Sequence, residues 1–208
     1  MCIRDSIALF LLAAALGAAA FLHRGFFSVC IAYVVLFVLY SAAIKNIVIL
    51  DVLFVAGGYV LRAIAGAVIL DVEISSWLLL CTLLLALFLV LSKRRTEIII
   101  LGDRAAEHRK SLAAYSLDLL NQMIGIVSAA CLVAYCLYTL APETVVKFGT
   151  KNLIFTVPFV IYGLFRYLYV TFRTVQADVP ERVLFHDRPL QVCLLGWIVS
   201  CILILVYA

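Results

Sequence analysis

Apolar residues recur along this chain in seven blocks, near positions 7–22, 26–44, 47–70, 75–91, 119–140, 152–172 and 190–207, and polar residues fall mostly between them. A helix rising ~1.5 Å per residue needs roughly 20 apolar residues to cross the hydrocarbon of a bilayer. The blocks have about that length, and none shows the two-residue alternation of a barrel strand. Lipid offers no hydrogen-bond partner to a bare backbone, so every block is expected to be a helix. The expected fold class is all-α, a polytopic transmembrane helical bundle with seven spans.

Composition agrees with this picture. The 208 residues are 67% hydrophobic and 13% charged, with a mean hydropathy of +1.20, whereas soluble domains carry roughly one quarter charged residues. A single membrane domain over residues 7–208 is expected, preceded by a segment 1–6, "MCIRDS", that reads as a junction rather than a native start. The net charge of +4 is too small to point to nucleic acid. The seven cysteines lie mostly inside apolar runs without C-x-x-C spacing, which reads as buried thiols rather than a metal or disulfide framework.

Charge placement sets the expected topology. The stretches after the second, fourth and sixth spans hold ten cations: Lys45, Lys93, Arg94, Arg95, Arg104, Arg109, Lys110, Arg173, Arg182 and Arg188. The opposite stretches hold Arg24, Lys147 and Lys151. The positive-inside rule puts the ten in the cytoplasm. A signal peptide over the first span is the alternative, but the charge asymmetry already works with that span retained.

Two places carry candidate chemistry. Asp51 and Arg62 interrupt the third span, and an ionisable residue inside a membrane helix is a functional candidate by default. Eleven residues at 100° each bring them within about 20° of one stripe, with Gly58 between. They are ~16 Å apart along the axis, so each needs its own partner, in a shared polar cavity or an interhelical network. Gly57, Gly58 and Gly66 suit close helix packing.

The second place is "SKRRTE" at 92–97, read as the start of a polar loop running to Tyr115. Lys93, Arg94 and Arg95 offer donors for phosphate oxygens, and Glu97, four and three residues after Lys93 and Arg94, would share the face of those two if the helix continued. The same cations also serve as a topological marker. His23, His108 and His186 lack metal-ligand spacing, and Arg166 is placed to snorkel to the headgroups. No Walker loop, G-x-S-x-G or H-E-x-x-H occurs, which argues against ATPases, serine hydrolases and zinc proteases.

The segments "YSAAIKNIVILDVLFVAGGYVLRAIAG", "LFLVLSKRRTE", "HRKSLAAYS", "AYCLYTL" and "LFHDRPLQVCLLGW" resemble, in that order, the decaprenyl-phosphate phosphoribosyltransferase branch of the UbiA-type prenyltransferase superfamily. The resemblance runs from about residue 26 to the end and implies a nine-helix bundle, of which these seven spans correspond to the third through ninth. It implies transfer of 5-phosphoribosyl from phosphoribosyl pyrophosphate to a polyprenyl phosphate such as decaprenyl phosphate, with Mg²⁺ as cofactor and the motif loops facing the cytoplasm of a bacterial inner membrane. By the same resemblance, Asp51, Arg62 and Glu97 are catalytic candidates. Lys45, Lys93, Arg94 and Arg95 are phosphate-binding candidates, and Tyr115 is a candidate for orienting substrate. The family's N-D-x-x-D metal element has no counterpart in these 208 residues, which carries the expectation of an N-terminally truncated chain. Ser92 stands where many relatives have glycine. A prenyltransferase that moves a polyprenyl group from its diphosphate to an aromatic or other acceptor, and a small transporter or non-catalytic membrane scaffold, are the alternatives. No nucleic-acid partner is expected, and a homo-oligomer is compatible with the sequence.

Overall fold

A computed structural model describes residues 3–102, 110–173 and 186–207. Arg104, His108, Arg109 and Arg182 lie outside the described residues. Within them the chain is helical: α1 (Ile3–Leu22), α2 (Arg24–Ala42), a 3₁₀ turn (Ile44–Asn46), α3 (Leu50–Leu70), α4 (Ser76–Leu101), α5 (Lys110–Ala113), α6 (Leu117–Leu140), α7 (Pro142–Phe148), a second 3₁₀ turn (Asn152–Thr156), α8 (Val157–Arg173) and α9 (Arg188–Val206). Among the described residues, six helices are long and apolar enough to span a membrane: α2, α3, α4, α6, α8 with its preceding 3₁₀ turn, and α9. The expected first span is a shorter apolar stretch, Phe10–Leu22 of α1.

Local chemistry sets the boundaries. His23, read from sequence as merely interfacial, caps α2, its Nδ1 accepting from the backbone of Gly25 at 3.1 Å and Phe26 at 3.4 Å. Ser75, Ser116 and Asp187 cap α4, α6 and α9 in the same way. Gly149, at φ 70°, ends α7 in the left-handed conformation that glycine adopts without a Cβ clash.

One boundary differs from expectation. SKRRTE is not the start of a loop, because α4 runs unbroken from Ser76 to Leu101. The apolar window closes at the cations, but "EIIIL" restores apolar surface after them, and the backbone keeps its intrahelical bonds. The Ser92 hydroxyl donates to the Phe88 carbonyl at 2.8 Å and Thr96 to the Ser92 carbonyl at 3.1 Å, so these buried hydroxyls are satisfied within the helix.

The long helices pack chiefly on their neighbours in sequence, α4 against α6 and α3 most extensively. The core lies there, with Val52, Phe88, Leu91, Leu120 and Ile124 almost wholly enclosed. Contacts also fix which ends lie together. Tyr115, before α6, reaches Ile49 and Asp51 at the start of α3. Arg95, near the end of α4, reaches the Thr171 carbonyl at the end of α8. At the opposite end, the Lys147 ammonium donates to the Glu73 carbonyl at 2.6 Å. Among the described residues, the C-terminal ends of α4 and α8 and the segments that lead into α3 and α6 therefore share one end of the bundle, in keeping with the charge count.

The glycines of α3 do less than expected. A Cβ on Gly57 or Gly58 would meet Leu36 or the Tyr33 ring at 3.6 Å, ordinary van der Waals contact, and one on Gly66 would meet nothing within 4 Å. The tightest approach is between α8 and α9, where a Cβ on Gly196 would fall 2.9 Å from the Phe159 ring. The six described cysteines are free thiols.

Candidate functional site

The end of the bundle shared by α2, the start of α3, the end of α4 and the approach to α6 holds a buried polar cluster. At its centre Arg94, a residue only 5% exposed, holds its guanidinium between two carboxylates. Its Nε is 3.2 Å from Asp51 Oδ2, and its Nη1 donates to Glu97 Oε2 at 2.6 Å. A longer contact, 3.4 Å, joins Nη2 to the Tyr40 hydroxyl. The Glu97 partnership follows from helical spacing at i,i+3. The Asp51 partnership requires α3 to pack against α4 and was not legible from spacing.

Asp51 is fully enclosed, and its two oxygens are treated differently. Oδ1 accepts from the Tyr115 hydroxyl at 2.9 Å. Oδ2 faces Arg94 as an ion pair without a directed hydrogen bond, and both atoms lack any other polar partner.

Tyr115 does a second thing, accepting the Ile49 backbone N–H at 2.7 Å. Ile49 has φ 71° and ψ −46°, a region that a β-branched residue enters only under strain of order 1–3 kcal/mol. That turn delivers the chain from the 3₁₀ turn into α3 and places Asp51 in its first turn. Ser111 fastens the same junction from α5, its hydroxyl donating to the Lys45 carbonyl at 2.9 Å. Burial, with Asp51 adding to it, pushes the Tyr115 phenol up to about 12, so it stays protonated at neutral pH.

The structure thus brings Asp51, Arg94, Glu97 and Tyr115 together, and Lys45 lies in the 3₁₀ turn that Ser111 fastens. Lys45 is half-buried, and its side chain has no polar partner among the described residues. Lys93 is half-buried on the same helix as Arg94. Two candidates lie elsewhere. Arg95 turns to the other flank of α4, where Nε donates to Asn121 Oδ1 at 2.8 Å and Nη1 to the Thr171 carbonyl at 3.2 Å. Its guanidinium also stacks 4.1 Å from the Phe172 ring centre, so it ties α4 to α6 and α8 rather than facing the cluster.

Arg62 does not share a cavity with Asp51. It is exposed, donates to the Tyr33 hydroxyl at 2.6 Å and stacks on the Tyr33 and Tyr59 rings. The stripe geometry was sound, but packed helices cross at an angle, and a straight stripe on one passes from one neighbour to the next. Asp51 therefore faces α4, whereas Arg62 faces α2. A small cavity of about 120 Å³, lined among others by Tyr33, Phe37, Tyr40, Gly58 and Arg62, runs between these levels.

Sequence reasoning missed Tyr40, Ser111, Asn121 and Asp187. Asp187 accepts from Arg166 through both its oxygens, with Nη2 to Oδ2 at 2.9 Å, and caps α9 through the Leu190 N–H at 2.9 Å. Arg166 is thus ion-paired rather than simply snorkelling. Its hydrogen bonds hold the Asp187 carboxyl below the usual carboxylate range. The "HDRP" string was the available signal, since an acid one residue before R-P suits an N-cap.

No family model matches the chain. It is 32% identical over 176 residues to the decaprenyl-phosphate phosphoribosyltransferase of Corynebacterium glutamicum, 84% of this chain and 52% of that one. It is 30% identical over 173 residues to the enzyme of that name from Mycolicibacterium smegmatis, 80% and 54% of the two chains. The chain is related to the decaprenyl-phosphate phosphoribosyltransferases. The corresponding protein of Mycobacterium tuberculosis is 28% identical over 172 residues, 83% of this chain and 56% of the relative. These similarities bear out the resemblance read from the motifs. The chain spans about half the length of the curated relatives it matches.

Proposed function

We propose that this chain forms part of a membrane-embedded transferase that moves 5-phosphoribosyl from phosphoribosyl pyrophosphate to a polyprenyl phosphate, releasing pyrophosphate. The observation that carries this reading is the similarity to three proteins named decaprenyl-phosphate phosphoribosyltransferase, which extends over most of the chain. The buried ionic cluster at one end of an otherwise apolar bundle supports it. In the reaction, an oxygen of the lipid phosphate bonds to the anomeric carbon while the bond from that carbon to pyrophosphate oxygen breaks, the electron pair leaving with pyrophosphate. Both reactants are anionic, and fixed cations in a site of low dielectric offset their repulsion more effectively than water does.

Arg94 and Lys45 are the cations assigned to phosphate, with Lys93 beside them. Asp51 and Glu97 hold the Arg94 guanidinium in orientation. The polyprenyl chain stays in the bilayer or lies along the helices, and the site faces the cytoplasm of a bacterial inner membrane.

The resemblance implies Mg²⁺. Among the described residues no three His, Cys, Asp or Glu side chains converge, and both carboxylates of the cluster face Arg94. These residues do not by themselves fit the octahedral oxygen cage that Mg²⁺ requires, and no step is assigned to a metal held by this chain. The test is transfer of radiolabel from phosphoribosyl pyrophosphate to added polyprenyl phosphate by membranes carrying the complete open reading frame. Lipid-soluble label that disappears on chelation of Mg²⁺, and falls at least about 100-fold in a correctly inserted Arg94→Ala variant, is expected. A wild type that labels no polyprenyl phosphate, or an Arg94→Ala variant with full activity, overturns the reading.

A further inference from the structure

Tyr115 offers one proton and two lone pairs. The proton goes to Asp51 Oδ1, and one lone pair receives the Ile49 N–H. Phosphate oxygens accept hydrogen bonds, so a phenol whose proton is already directed at a carboxylate has nothing to offer them. The residue is 5% exposed, and its hydroxyl lies inside the cluster between two elements separated by more than 60 positions in sequence. Its backbone partner carries a positive φ, and Ser111, four residues earlier, grips the same junction at Lys45.

We infer that Tyr115 is a positioning residue that acts through Asp51. It holds Ile49 in its strained turn, fixes the rotamer of the Asp51 carboxylate, and so sets the face that carboxylate presents to Arg94. For transfer activity this inference rests on the function proposed above; for the junction itself it rests on the geometry alone. A tyrosine that contacted substrate would instead act independently of Asp51.

The test uses the complete reading frame reconstituted in lipid nanodiscs, with Tyr115→Phe, Asp51→Asn and the double variant, and rates expressed per folded molecule. Hydrogen exchange at the Ile49 amide is expected to quicken about tenfold in Tyr115→Phe, the loss of one hydrogen bond. Each single variant is expected to lower kcat/KM roughly ten- to a hundredfold, and the double variant to stay within about twofold of Asp51→Asn, because both changes remove one interaction. Multiplying losses, or unchanged exchange at Ile49, overturn the inference. Should Tyr115→Phe fail to fold, the cycle is repeated with Ile49→Gly, since glycine accepts the positive φ without strain. A wild type that transfers no phosphoribosyl group defeats the functional reading, and the exchange measurement still decides whether Tyr115 holds the junction.

Discussion

Replacing Arg94 by glutamine is the most informative perturbation of stability. The Arg94 side chain is 6% exposed, that of Asp51 0% and that of Glu97 30%. Removing one partner of a buried ion pair costs about 3–5 kcal/mol, because the other charge is left without compensation in a medium that solvates it poorly. Breaking a partly exposed pair costs about 1 kcal/mol or less. Arg94→Gln strands Asp51, which keeps the Tyr115 hydroxyl as its one hydrogen-bond donor among the described residues. Glu97→Gln leaves Arg94 paired with Asp51, and the glutamine oxygen still accepts from Nη1. The expected difference of roughly 2–4 kcal/mol corresponds to about 30- to 700-fold in the unfolding constant. In the double variant Asp51→Asn/Arg94→Gln both charges are gone, and the cost is expected to fall at least about 2 kcal/mol below the sum of the two singles. Reversible unfolding by SDS titration in mixed micelles measures all four proteins. Equal losses for Arg94→Gln and Glu97→Gln, or a double variant at the sum of its singles, would refute an Asp51–Arg94 pair that dominates the cluster.

Three further outcomes are expected. The Tyr115 phenol is raised on folding, so its contribution is fully present below its ordinary value near 10 and is lost as pH rises through about 12; this part of the alkaline unfolding limb is expected to vanish in Tyr115→Phe. Asp187 is lowered on folding by Arg166, so its contribution is present above about pH 4 and is lost as pH falls through the folded value; Asp187→Asn should flatten that acid limb, and Asp187→Ala should also lose the α9 cap, about 1 kcal/mol at neutral pH. Gly196→Ala drives a methyl into the Phe159 ring and should cost about 1–3 kcal/mol, whereas Gly66→Ala meets open space and should be neutral or stabilising by up to about 1 kcal/mol, as thermal unfolding in detergent can check.

The spans were legible because bilayer thickness fixes how much apolar chain a crossing needs, and the shared end of the bundle was legible because cations mark it. Helix ends were less so. The span holding SKRRTE was expected to stop at residue 91, yet charge ends an apolar window without ending a hydrogen-bonded helix, and α4 continues to Leu101. Pairings within one helix, such as Arg94 with Glu97, followed from spacing. Pairings between helices did not: Tyr115 with Asp51, Arg94 with Tyr40 and Arg62 with Tyr33 depend on how α2, α3, α4 and α6 are rotated against one another, which no single-helix periodicity encodes.

The charge balance of the cluster constrains how it meets its ligands. Asp51, Arg94 and Glu97 together sum to minus one, so the arginine expected to attract phosphate lies in a locally acidic setting. Two carboxylates at 2.6 Å and 3.2 Å compete directly with any incoming anion for the same guanidinium. First attraction must come from cations that are not so neutralised, and Lys45, half-buried in the turn that leads into α3 and with no polar partner among the described residues, is the cation assigned to it in the function proposed above. In the proposed reaction Arg94 has for phosphate only the donors its carboxylates leave unfilled, while those carboxylates keep it from turning away. If the chain has the function proposed above, Lys45→Ala is expected to weaken binding of phosphoribosyl pyrophosphate more than turnover, and Asp51→Asn to do the reverse. A KM against kcat comparison of the two variants in the transfer assay separates recruitment from orientation, and equal effects on both constants in both variants would contradict that division.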